Sequence, residues 1–197
     1  MIKEKFNLKL LLLLFSLLAF SACDDDDDVV PDEPENPEEE FTTIKLIFDD
    51  ESTADDDDIE FIWKDLDGDG GNDPEIDDIV LESGKSYELE IEFLNENENP
   101  VEDVTEEIER EDKEHQVFFL GSAVNSLISI DYDDMDDDGN PLGLENDVTV
   151  LQTGGPEVLN VILRHELDKD ATGASEGNPD NAGGETEVDI NFNVTVQ

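Results

Sequence analysis

From Ile44 onward the chain alternates apolar and polar positions with the period of two that a half-buried β-strand imposes. Ile44, Leu46 and Phe48 share one face of a first strand, and Ile59, Phe61 and Trp63 share a face of a second. Tyr87, Leu89, Ile91 and Phe93 alternate with Glu88, Glu90 and Glu92 in a third. Ser83-Gly84-Lys85 before it reads as a hairpin turn from Ile79-Val80-Leu81. Val117–Leu120, Leu127–Tyr132, Val148–Leu151 and Val158–Arg164 are shorter strand candidates, and Val188, Ile190, Phe192, Val194 and Val196 line one face of a last strand. Helical signals occur once, over Asp103–Glu114. Asp103 has the character of an N-cap, Glu106 stands at capping-box spacing, and Val104, Ile108 and His115 fall on one side.

Strands that do not alternate with helices exclude a doubly wound α/β fold. The pattern predicts a mainly β domain over residues 41–197: an antiparallel β-sandwich of eight or nine strands with polar outer faces and one short helix, with a closed β-barrel as the alternative.

The first 40 residues follow different rules. Lys3, Lys5 and Lys9 precede an apolar run from Leu10 to Ala22. That run is shorter than the roughly 20 residues that cross a bilayer as a helix, so residues 1–22 read as a signal peptide. Cys23 is the only cysteine and stands where the run stops, so no disulfide forms within the chain. Phe20-Ser21-Ala22-Cys23 resembles the lipobox of bacterial lipoproteins, with Phe20 where leucine is usual. The resemblance implies cleavage before Cys23 and its acylation. Residues 23–40, with Asp24–Asp28 and then three prolines and one asparagine among acidic residues, bury too little apolar surface to order themselves and read as an extended acidic tether. An acidic cluster just after the lipidated cysteine resembles the surface-export signal of some Gram-negative lipoproteins, and the resemblance implies a domain at the outer membrane, facing the periplasm or the cell surface; a plain spacer is the alternative.

Charge narrows the partners. The chain has 10 Lys+Arg against 58 Asp+Glu, a formal charge of −48. Removing residues 1–22 takes away three lysines and one glutamate and leaves −50. Phosphate backbones repel such a chain, which excludes nucleic acid, and the same repulsion makes bound cations stabilising. The expected partners are the membrane, through the lipid anchor, and an outer-membrane transporter or surface assembly.

Two loops carry Asp-x-Asp-x-Asp-Gly: Asp65, Asp67, Asp69 with Gly70, and Asp134, Asp136, Asp138 with Gly139, the second with Glu145 at its twelfth position. Alternate carboxylates on a tight turn converge on one Ca²⁺, so both loops are calcium candidates, with solvated acidic turns as the alternative. The second follows a strand and contains Pro141, which makes it a strand-to-strand loop rather than an EF-hand. The only histidines, His115 and His165, close an apolar helix side and an apolar strand face. With Glu111 or Glu166 they form a transition-metal candidate without HxH or HxxxH spacing, against which stands an ordinary role at the core edge, with Arg164 pairing a carboxylate. No nucleophile elbow or phosphate loop is present. Carboxylate pairs suit glycoside hydrolysis, but the 57 acidic residues that remain without residues 1–22 single out no pair, and two tyrosines and one tryptophan are few for a sugar cleft. No enzymatic activity is expected.

Lys64–Asn72, Asp103–Gln116, Leu163–Glu166 and Asn181–Thr186 resemble stretches of a family of small acidic bacterial lipoproteins labelled type 1 periplasmic binding fold superfamily proteins. They are spread over most of residues 42–197. True type 1 periplasmic binding proteins are larger, two-lobed α/β molecules, so no sugar- or amino-acid-capture function is carried over from that label.

Overall fold

The computed structural model describes residues 39–50, 58–68 and 70–197, all within one compact unit, Glu38–Gln197. The signal peptide, Cys23, most of the acidic tether and Asp69 lie outside the described residues. Two sheets face each other across one core, and no barrel closes. The first sheet is built from β1 (Thr43–Asp50), β2 (Ile59–Lys64), β3 (Glu75–Ile76), β5 (Ser86–Asn95), β6 (Glu102–Asp103), β8 (Ile128–Tyr132) and β9 (Glu145–Val150). Its order is β3-β2-β1-β5-β9-β8, with β6 on β5. The second has the order β4-β11-β10-β7, where β4 is Ile79–Leu81, β7 His115–Leu120, β10 Gly154–His165 and β11 Glu185–Val196. A mainly β sandwich with one short helix, α1 (Thr105–Arg110), is therefore the architecture.

The alternation places the core. Ile44, Leu46 and Phe48 of β1 and Leu89, Ile91 and Phe93 of β5 are fully buried from one sheet, and Leu159, Val161 and Leu163 of β10 from the other. Phe48 meets Phe61 and Tyr87 edge-on, the arrangement that ring quadrupoles favour.

Three details depart from the sequence reading. Ser83–Lys85 is not a hairpin turn: β4 pairs in parallel with β11, while β5 pairs with β1 and β9 in the other sheet. A glycine turn between two alternating runs looks alike whether the runs pair edge to edge or face each other across the core. Secondly, α1 is shorter than Asp103–Glu114. The Asp103 carboxylate accepts from the Thr105 amide two residues on, and Val104 holds the cap position without a side-chain bond. Thirdly, the outer face of the second sheet is not wholly polar. Phe118 and Ile162 are buried there beneath segment 167–182, with Leu167, Ala174 and Ala182 packed on them. The Gln116 side chain pins that cover by donating to the Ala174 carbonyl (2.9 Å).

Candidate metal centre

β7 and β10 are antiparallel neighbours, and their register sets His115 directly opposite His165. The two continue the inward faces of Val117 and Leu163, so both imidazoles enter the end of the core. Their rings stack with centroids 4.4 Å apart and planes 5° from parallel. The absence of HxH spacing therefore says nothing about this pair, because strand pairing rather than chain proximity creates it.

Glu187 joins them through an irregularity in β11. Leu163 pairs with Val188 but Arg164 pairs with Thr186, so Glu187 is the extra residue of a β-bulge. A bulge re-aims a side chain that strict alternation would send outward. The Glu187 carboxylate lies 3.5 Å from His115 Nε2 and 3.3 Å from His165 Nδ1. Glu39 supplies the fourth group from the segment just before β1, 3.7 Å from His115 Nε2. One ligand atom from each of Glu39, His115, His165 and Glu187 lies within 4.8 Å of every other. In a tetrahedral zinc site with bonds of about 2.0–2.1 Å, ligand atoms are about 3.3–3.4 Å apart. The contacts of Glu39 and Glu187 with the histidines, 3.3–3.7 Å, approach that spacing; gathering all four atoms from within 4.8 Å onto one ion also requires the stacked rings to rotate toward it.

Burial makes the cluster costly without a cation. His115 is fully buried, and the Glu39 and Glu187 side chains are nearly so. Both Glu39 oxygens, Glu187 Oε2 and Nε2 of each histidine are buried with no hydrogen-bond partner. Burial and the adjacent Glu187 carboxyl push Glu39 well above the usual carboxylate range. For Glu187, burial is outweighed by His115, and its acidity is strengthened. For His115, burial pulls downward but Glu187 prevails and raises it. Two carboxylates and two neutral imidazoles carry −2, which one divalent ion neutralises; otherwise protons must do so. His115 Nδ1 lies 3.3 Å from the Glu111 carbonyl, and donation there leaves Nε2 as the lone-pair nitrogen facing the carboxylates. The cluster adjoins an open cleft of about 350 Å³ lined by Phe41, Trp63 and Ile190 as well as Glu39 and Glu187.

The sequence reading named His115 and His165 and paired them with Glu111 or Glu166. Glu111 lies near His165, whereas Glu166 is exposed at positive φ and belongs to no such group. Arg164 donates to the Gly183 and Gly184 carbonyls rather than to a carboxylate. Glu39 and Glu187 were missed: one sits in an acidic run, and the other has the parity of an outward position.

The acidic loops spend their carboxylates locally. Asp134 accepts from the amides of Gly143, Leu144 and Glu145 (2.6, 2.8 and 3.2 Å). Asp136 accepts from the amides of Asp138 and Asn140 and pairs with Lys169 at 3.1 Å. Asp138 pairs with Lys113, and the Glu145 residue is exposed on β9. In the other loop Asp65 accepts from the amides of Asp67 and Gly68, and Asp67 from Asn72. Among the described residues, neither loop gathers three ligand groups around one point, whereas the histidine cluster gathers two imidazoles and two carboxylates.

No protein-family model, curated protein or solved structure matches the chain.

Proposed function

We propose that this chain is a lipid-anchored accessory module of the outer membrane that binds a divalent transition ion, Zn²⁺ by preference, through Glu39, His115, His165 and Glu187. The observation that carries the reading is the cluster of two imidazoles and two carboxylates in which both Glu39 oxygens, Glu187 Oε2 and His115 Nε2 are buried without hydrogen-bond partners. Two nitrogen and two carboxylate donors within 4.8 Å of one another suit Zn²⁺ better than Ca²⁺, which takes six to eight oxygens. Four protein ligands leave no open position, the arrangement of a holding site rather than a hydrolytic one. Because Glu39 precedes β1 and the other three ligands come from β7, β10 and β11, the ion ties the start of the domain to the second sheet. A partner of transporter or surface-assembly type at the outer membrane belongs to the same proposal.

Calorimetric titration of the full chain tests it, with Cys23→Ser to remove thiol binding and millimolar Mg²⁺ to occupy the acidic surface. We expect one tight Zn²⁺ equivalent that His115→Ala/His165→Ala abolishes. At free Zn²⁺ of 100 times the dissociation constant, linkage stabilises the fold by about 2.7 kcal/mol, several degrees of melting temperature. Equal Zn²⁺ affinity in wild type and double variant would remove the cluster from consideration.

A further inference from the structure

His165 presents its two ring nitrogens to two different acidic groups. Nδ1 faces Glu187 at 3.3 Å, inside the cluster already described. Nε2 faces the Glu114 carboxylate at 3.6 Å, and this nitrogen is buried without a hydrogen-bond partner. Glu111, Glu114 and His165 form a second group whose ligand atoms lie within 4.8 Å of one another.

The turn between α1 and β7 holds this group in place. The Glu114 amide donates to the Glu111 carbonyl (2.8 Å), and so does the His115 amide (3.2 Å). The same carbonyl faces His115 Nδ1. The backbone that orients the inner histidine thus also carries the two outer carboxylates. The groups differ in access: the Glu114 side chain is 59% exposed, against 10% for Glu187.

We propose that Glu111, Glu114 and His165 Nε2 form a second, outer site for a divalent transition ion, sharing the His165 ring with the buried four-ligand site. The proposal rests on the metal-binding reading of that inner cluster and adds to it. One imidazole nitrogen and two carboxylates leave coordination positions to solvent, so the outer ion is bound more weakly and exchanges more readily than the inner one. A neutral imidazole has one lone pair, so the two sites compete for His165 unless the ring gives up its second proton. Occupation of the inner site through Nδ1 therefore weakens the outer one.

The test uses the full chain carrying Cys23→Ser, titrated with Zn²⁺ in millimolar Mg²⁺. The expected result is a tight equivalent followed by a weaker one, and Glu111→Gln/Glu114→Gln should weaken only the second, by about tenfold or more. Cu²⁺ gives an independent readout. In His115→Ala the inner set is broken, and paramagnetic resonance should show Cu²⁺ coupled to a single imidazole nitrogen. Adding Glu111→Gln/Glu114→Gln to that background should abolish the nitrogen coupling. A second equivalent insensitive to both glutamines, or no nitrogen-coupled Cu²⁺ in His115→Ala, overturns the outer site and leaves the inner one standing. Failure of wild type to bind any saturable equivalent overturns both.

Discussion

Lys169 is one of the few cations in a chain of −48, and its side chain is almost wholly buried. Its ammonium donates to the Asp112 carbonyl at 2.6 Å and pairs with Asp136 at 3.1 Å. The loop read from sequence as a calcium site thus already meets a cation at its central carboxylate, one supplied by the chain 33 residues further on. Burial acts to raise Asp136, but the Asn140 amide and Lys169 outweigh it and hold its carboxyl below the usual range. Removing one partner of a buried ion pair strands the other, so Asp136→Asn should cost about 3–5 kcal/mol, and a double replacement by apolar residues should recover part of it. The measurement is denaturant unfolding of each variant in Ca²⁺ and in chelator at constant ionic strength. Equal losses in both media mark Lys169 as the cation that matters. A loss seen only with Ca²⁺ would restore the calcium reading of the loop. Nothing in Asp-x-Asp-x-Asp-Gly announced Lys169, because spacing within a loop carries no information about what packs on it from elsewhere.

At the scale of elements, periodicity located the strands well and their pairing poorly. His165 was legible as the end of β10, and His115 as a residue on an apolar side, although it opens β7 rather than closing the helix. Their meeting depended on which strands became neighbours, and Glu187 depended on a bulge, which breaks the alternation that sequence reading assumes. The bulge sits against a close backbone approach. Gly184, at φ +71°, lies so near the end of β10 that an added Cβ would be 2.3 Å from the His165 carbonyl oxygen. That neighbour is backbone and cannot swing aside. Gly184→Ala should therefore part the ends of β10 and β11, with a stability loss of about 1–3 kcal/mol from the strained backbone. It should also weaken Zn²⁺ by roughly tenfold with every ligand intact, since metal sites tolerate little displacement of their support. Thermal melts and Zn²⁺ titration of the variant measure the two effects. A destabilised variant with wild-type Zn²⁺ affinity would show that the bulge does not position Glu187.

For the whole molecule, the fold class followed from the pattern because one sandwich core buries one face of nearly every strand. How the proposed lipoprotein would attach to a membrane is a separate question, and charge bears on it directly. Among the described residues no helix is long and apolar enough to cross a bilayer. The exposed large apolar side chains there include Ile59, Leu66, Ile76, Val80, Val101, Met135, Leu151 and Val158, drawn from separate parts of the chain. A charge near −50 repels anionic headgroups, and so opposes peripheral binding through electrostatics. Under the lipoprotein proposal, attachment then rests on the acyl chains of Cys23, each buried CH₂ contributing about 0.8 kcal/mol. Two or more chains hold firmly against the repulsion, whereas one chain does so only marginally. Full-length protein should therefore stay in the membrane fraction through high-salt and alkaline washes and should incorporate labelled palmitate. Cys23→Ser should lose the label and pass quantitatively into the soluble fraction, with its Zn²⁺ site unaltered. Raised salt screens the headgroup repulsion, so salt should strengthen rather than weaken any residual attachment of that variant. Retention of unlabelled Cys23→Ser protein at low salt would mean that another part of the chain, or a membrane partner, provides the anchor.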